Sequence, residues 1–111
     1  LNAAAYGRVF EKANRSRDNW FTVLSRDNGR HDARLGLAIS KKHCRKATSR
    51  NTIKRIVRES FRQHQANLQG LDIVVINQPA ATAATRRQLF DSLAGHWRRC
   101  AGKKGGDRGQ E

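Results

Sequence analysis

Between Ser49 and Ala66 the apolar residues Ile53, Ile56, Val57 and Phe61 recur at spacings of three, one and four. That is the signature of a helix with one buried face, and Ser60 and His64 fall on the same arc. At about 100° per residue, Asn51, Arg55, Arg58 and Arg62 gather on the opposite side with Lys54 at its edge. Thr48 or Ser49 is expected to cap the start through its hydroxyl. N-terminal to it, residues 2–13 suit a short helix that puts Tyr6, Val9 and Phe10 on one face. On spacing alone those side chains read as core. Asn14–Asp18 is polar and reads as a loop. Trp20–Ser25 alternates as a strand, with Trp20, Thr22 and Leu24 on one side and Phe21, Val23 and Ser25 on the other. Bulk on both sides implies that neither faces solvent freely.

Asp27-Asn28-Gly29 is a turn signal, because Asn and Gly tolerate positive φ. Ala33–Ser40 is a second strand, separating Leu35, Leu37 and Ile39 from a flat face of Arg34, Gly36, Ala38 and Ser40. Small residues on one face make either plain exposed surface or the floor of a groove. Asp72–Asn77 is a third strand whose unbroken apolar run predicts a central position in the sheet. Pro79 ends it. Residues 84–100 form a last helix with Leu89, Phe90, Leu93, Ala94 and Trp97 as its core stripe. Residues 1–100 are therefore read as one domain and 101–111, Gly-rich and charged, as a disordered tail. The order α-β-β-α-β-α predicts an α+β two-layer sandwich with a mainly antiparallel sheet. Its β-α-β crossover would by general rule be right-handed.

Charge changes the picture most. The chain of 111 residues carries a formal net charge of +14, which points to a polyanionic partner. Lys41, Lys42, Arg45, Lys46, Arg50, Lys54, Arg55, Arg58 and Arg62 cluster in one stretch against a single acid, Glu59. A charge run on a helix is commonly only a solvated face, but solvated faces mix signs and this one does not. Contact with nucleic acid is the better account, with guanidinium forks on phosphate and Asn51 adding an amide contact. No stretch approaches the roughly 20 apolar residues that span a bilayer, so no membrane partner is expected, and the chain reads as a binder of nucleic acid with no small-molecule substrate. The opening LNAAAYGRVF lacks the pattern of a secretory signal, and the missing initiator Met suggests N-terminal trimming.

Catalytic chemistry is not visible. The nine carboxylates are dispersed, whereas two-metal nucleases need them clustered. His43 and Cys44 are adjacent, which is poor spacing for two ligands of one metal. Cys44 and Cys100 have no CxxC context and read as free thiols of a cytoplasmic protein. No catalytic and no metal-binding residue is assigned.

The motif residues themselves carry a resemblance. Ser40-Lys41-Lys42, Arg45-Lys46-Ala47, Arg50-Asn51 and IKRIVRESFR over Ile53–Arg62 resemble the signature of the bacterial ribonuclease P protein subunit. YGRVF, RLGLAISKK, DIVVI and LAGHWRRC extend the similarity over residues 1–100. The resemblance implies a protein that assists a catalytic RNA in removing the 5′ leader of precursor tRNA, with Mg²⁺ held by the RNA and substrate. It implies a ribosomal-protein-like fold whose β-α-β crossover is the rare left-handed kind. Carried onto this chain, the catalytic RNA would meet Arg50, Asn51, Lys54, Arg55 and Arg58, with Lys41 and Lys42 at the strand end, and the charge cluster adds Arg45, Lys46 and Arg62 to the expected RNA-binding set. A separate cleft for the single-stranded leader would involve Tyr6, Phe10, Phe21, Val23, Ala38 and Ser40, which turns Tyr6 and Phe10 from core into ligand platform. The family motif usually reads Arg-Asn-Arg, whereas this chain has Thr52, so one phosphate contact is expected to be lost. The alternatives are a ribosomal RNA-binding protein without catalytic role, a self-sufficient nuclease, which the scattered carboxylates oppose, and a helix-turn-helix DNA binder, which the strand preceding the basic helix opposes.

Overall fold

In the computed structural model, which describes Gly7 and residues 13–102, the chain folds as a four-stranded sheet with two long helices on one side. The strands are β1 (Asn14–Arg17), β2 (Phe21–Asp27), β3 (Arg34–Ala38) and β4 (Leu71–Asn77), and the helices are α1 (Ala47–His64) and α2 (Arg86–Gly102). Short 3₁₀ turns at Gln65–Leu68 and Pro79–Ala83 flank β4. The helix expected over residues 2–13 lies, but for Gly7 and Ala13, outside the described residues, as do positions 103–111 of the tail.

The sheet order is β1-β2-β4-β3, with both pairs involving β2 antiparallel and the β3–β4 pair parallel. The apolar run Ile73–Ile76 thus occupies the centre of the sheet, as its two-sided hydrophobicity predicts. The sheet itself is mostly antiparallel and α+β in class, with α1 bridging the one parallel pair. One expectation fails. Asn14–Asp18 is not a loop: Asn14–Arg17 pairs with β2 as an edge strand, Asn14 opposite Ser25 and Arg17 opposite Thr22. Its residues have low strand propensity, but an edge needs only one buried side chain, here Ser16, and backbone pairing supplies the rest. Strands β2 and β3 flank the turn at Asp27-Asn28-Gly29 but are not neighbours, because β4 is inserted between them. Gly29 at φ 69° still makes the turn after β2, and Gly70 at φ 85° closes against it through Asn28 N–H on the Gly70 carbonyl.

Strand alternation sorts the core. Phe21, Val23, Ile73 and Val75 face the helices and meet Ile53, Ile56, Val57 and Phe61 of α1 and Leu89, Leu93 and Trp97 of α2. Full burial of each such side chain contributes about 1.5–3 kcal/mol. Phe61 meets the Trp97 ring edge-on at 5.9 Å between centroids, and the indole N–H of Trp97 donates to Ser60 Oγ at 2.9 Å. Ser60 is thus a polar residue required at the helix–helix contact. On the second face of the sheet, Leu24 and Val74 form a smaller cluster with Ala13, Ala38 and Ile76. At one end of that face the buried Asp72 carboxylate takes two 2.7 Å hydrogen bonds from Arg34 and one from Asn28, and this locks β3 to β4 in register.

Ser60→Ala should therefore cost about 1–3 kcal/mol, since it strands the buried Trp97 donor. Urea denaturation should show the loss as a lower midpoint at unchanged slope; an unchanged midpoint would show that the indole finds another partner.

Candidate nucleic-acid interface

Helix α1 begins at Ala47 with Lys46 in the N-cap position, and no side chain caps it. The expected hydroxyl caps, Thr48 and Ser49, lie inside the first turn instead. Arg50 does the equivalent work for the preceding loop. Its Nη1 donates to the carbonyl oxygens of Cys44 at 2.9 Å and Arg45 at 2.7 Å. The loop is held from its other end as well. Asn77, fully buried, accepts the Ser40 N–H at 2.6 Å, and His43 Nδ1–H donates to the Asn77 carbonyl at 2.8 Å. Ser40 Oγ accepts the Lys42 N–H. The segment carrying Lys41, Lys42, Arg45 and Lys46 is consequently a fixed scaffold with its four cations exposed.

Along α1 the side opposite the core forms a shallow groove lined by Asn51, Arg55, Arg58, Glu59 and Arg62. This is the face the hydrophobic period identifies. Lys54 is half-buried at its margin, and Arg50, turned back toward the loop, contributes less of itself than its position in the motif suggests. Glu59, the one acid, is drawn to Arg86 of α2 at 3.0 Å. Among the described residues Arg55, Arg58 and Arg62 form no ion pair. Their charge is left for a partner. Thr52 stands apart from this groove: its hydroxyl bonds back to the Thr48 carbonyl at 3.0 Å, and it lines a separate depression with Ser49, Ala81, Thr82 and Arg86.

The six residues assigned to a leader cleft do not share one surface. Phe21 and Val23 are fully buried on the helix side of the sheet, where no ligand reaches them, so that part of the assignment is corrected. Both faces of β2 carry bulk, and only the helices reveal which one is covered first. Ala38 lies on the second face, whose β2 residues are Thr22 and Leu24. Strand β1 adds exposed Arg15 and Arg17 to that face through pairing with Leu24 and Thr22, a contribution hidden while the segment reads as a loop. Tyr6 and Phe10 lie outside the described residues. No group of three or more His, Cys, Asp or Glu side chains that could hold a metal ion occurs among the described residues, and no helix there is long and apolar enough to cross a membrane. Cys44 and Cys100 are buried thiols.

A buried polar cluster ties the edge strand to α2. Arg99 Nε donates to Ser16 Oγ, which leaves the Ser16 hydroxyl to donate to His96 Nδ1 at 2.7 Å. His96 Nε2 lies 3.1 Å from Asp18 Oδ2, close but off hydrogen-bond geometry, and Ser92 donates to the same oxygen. The residue types are those of a nucleophilic triad, yet the serine is buried and held by Arg99, so the cluster is a structural tie. Some 80 positions separate its halves, and nothing in the sequence links them. Burial lowers the His96 pKa below its ordinary 6.5, more than the Asp18 charge raises it. For Asp18, burial works upward but is outweighed by the Ser92 hydroxyl, the Phe21 and Trp20 N–H groups and His96, so its pKa falls below 3.8.

The comparisons with known proteins agree with one another. Residues 1–101 match the family model described as Ribonuclease P. The chain is 51% identical over 98 residues to the ribonuclease P protein component of Methylococcus capsulatus, covering 85% of this chain and 77% of that protein. It is 48% identical over 94 residues to the corresponding protein of Thioalkalivibrio sulfidiphilus, covering 85% and 78%. Among solved structures, the RNase P protein of Staphylococcus aureus superposes with a TM-score of 0.79 at 33% identity, covering 91% of this chain and 92% of that one. That of Thermotoga maritima gives 0.77 at 31%, covering 85% and 89%.

The depressed pKa values of His96 and Asp18 shape the acid response, and Asp32, also held low by its hydrogen bond to Arg30, acts in the same sense as Asp18. A histidine that is neutral when folded but protonates when unfolded stabilises the fold fully only above the unfolded value. Stability should begin to fall as pH drops below about 6.5, and Asp18 should add a second loss below about 3.8. Denaturation midpoints followed from pH 7.5 to 5 should flatten in His96→Gln (a range chosen around the ordinary histidine value, about 6.5); an equal slope in both proteins would show that His96 titrates normally.

Proposed function

The chain belongs to the ribonuclease P protein family, and on that premise we propose that it acts as an accessory subunit that docks on the ribonuclease P RNA and guides precursor tRNA, while the RNA carries catalysis. The observation that carries this reading is the groove of Asn51, Arg55, Arg58, Glu59 and Arg62, its one acid paired with Arg86 of α2, on a helix rigidly anchored through its other face. Such a face binds phosphates without paying twice for order, because its backbone is already fixed. Exposed Lys41, Lys42, Arg45 and Lys46 on the braced loop extend it, and Lys54 borders it.

The second face of the sheet is the proposed path of the 5′ leader. Arg15 and Arg17 at one edge of that face would meet its backbone, and Ala38 lies at the opposite edge, across β2 and β4. Ser40 borders it, its hydroxyl already engaged by the Lys42 N–H. Tyr6 and Phe10 would supply aromatic surface as single-strand binders do. Mg²⁺ supplies the Lewis-acid chemistry and is assigned to the RNA and substrate; the described carboxylates Asp32, Asp72 and Glu59 are each taken up by an arginine. The reading places the protein in the cytoplasm, where precursor tRNA is processed.

Cleavage of a leader-bearing precursor tRNA at low Mg²⁺ tests the reading directly, with protein alone, a bacterial ribonuclease P RNA alone, and the mixture. Activity in the mixture well above either component is expected. Activity of the protein alone would indicate a self-sufficient nuclease, and no stimulation of a matched RNA would favour a ribosomal role.

The docking face has its own test in the salt dependence of RNA affinity. Replacing Arg55 and Arg58 together by Ala should weaken binding and lower the log–log slope by about 1.4–1.8 while the fold persists. Thr52→Arg should leave that slope nearly unchanged if its side chain follows the Thr52 direction, away from the groove; a steeper slope would place position 52 at the RNA.

A further inference from the structure

Trp20 is the large aromatic among the described residues that is neither buried nor engaged with another ring or a cation. It leans one side on the main core and lines a shallow groove at the end of the sheet with Arg17, Asp18, Asn19, Gln78, Pro79 and Ala80. Backbone pairing fixes the groove, since Gln78 N–H donates to the Trp20 carbonyl at 2.9 Å and Asp18 Oδ1 accepts the Trp20 N–H at 2.8 Å. Gln78 Nε2 donates to Thr22 Oγ1 at 2.7 Å, which joins the groove to the second face of the sheet. The indole N–H of Trp20 and the Gln78 Oε1 have no partner among the described residues, and Arg17 makes no ion pair there.

A half-buried indole that lines the groove, a guanidinium without an ion pair and an amide acceptor are together the parts of a single-nucleotide site. We propose that this groove binds one nucleotide of single-stranded RNA as it leaves the second face, the base stacked on Trp20, its phosphate held by Arg17 and its edge facing Gln78. The occupant is RNA rather than a peptide on two grounds. The groove continues a surface bearing Arg15 and Arg17, and Asp18, the one acid in its lining, already accepts hydrogen bonds from Ser92 and two backbone N–H groups. A rim tryptophan that merely completed the core would need neither the cation nor the free acceptor. The inference rests on the second face being the single-strand path, and its test separates the two.

The only other tryptophan, Trp97, is 2% exposed, so a ligand-induced change in emission reports Trp20. The full chain is titrated with oligoadenylate and with an abasic oligomer of equal length, binding being followed independently by anisotropy of an end-labelled strand. Oligoadenylate should quench the emission and the abasic strand should not. Trp20→Leu should abolish the quench and weaken oligoadenylate binding about tenfold, whereas Trp20→Phe should keep most of the affinity. Arg17→Gln should weaken both oligomers, giving a second reading should the Leu variant fold poorly. Saturation by oligoadenylate with unchanged emission would overturn the nucleotide site alone. Failure of any single strand to bind would overturn the site together with the second-face path.

Discussion

Burial of Ile53, Ile56, Val57 and Phe61 fixes the rotation of helix α1 about its own axis, and that rotation decides where every cation on it points. A slip of one residue would swing the helix by about 100° and carry Arg55 or Arg58 toward the sheet, where an unpaired charge costs more than any single contact returns. Two further constraints tighten this register. Trp97 closes against Phe61 and Ser60 from α2, and Arg50 ties the loop before α1 to its first turn. Rigidity of the apolar side is therefore the condition for a usable polar side.

The electrostatics follow a consistent pattern of local use. Asp72 is spent on Arg34, Asp32 on Arg30, Glu59 on Arg86 and Asp18 on the β1–α2 tie. All but the local Arg30–Asp32 pair hold strands and helices to one another, and among the described residues Arg55, Arg58 and Arg62 are left without an ion pair. A surface of this kind repels itself, which opposes folding slightly and favours association with a polyanion. The half-exposed Glu59–Arg86 pair contributes little stability by itself, but it draws the groove's single negative charge toward α2.

Edge strand β1 shows a second use of polar residues. Ser16 sits between His96 and Arg99, and its pairing with β2 sets Arg15 and Arg17 on the face that Ala38 and Ile76 share. Structural polar contacts on one side of the strand thus determine the cationic surface on the other.

The sequence by itself determined the long basic helix and its two faces, the central place of Asp72–Asn77, the core stripe of α2 and the surplus of positive charge. Each of these is a local period or a composition, and local periods survive folding unchanged. Its signature residues also sufficed to indicate the family. Tertiary structure alone decided the rest. Asn14–Arg17 becomes a strand because β2 offers it an edge, against its own propensity. Phe21 and Val23 rather than Thr22 and Leu24 face the helices, since alternation separates two faces without saying which one the helices cover. Arg50 turns to the loop carbonyls instead of the groove, and the Ser16–His96–Asp18 tie joins residues some 80 positions apart. Such choices depend on which surfaces meet, and distant surfaces meet only once the chain has closed on itself.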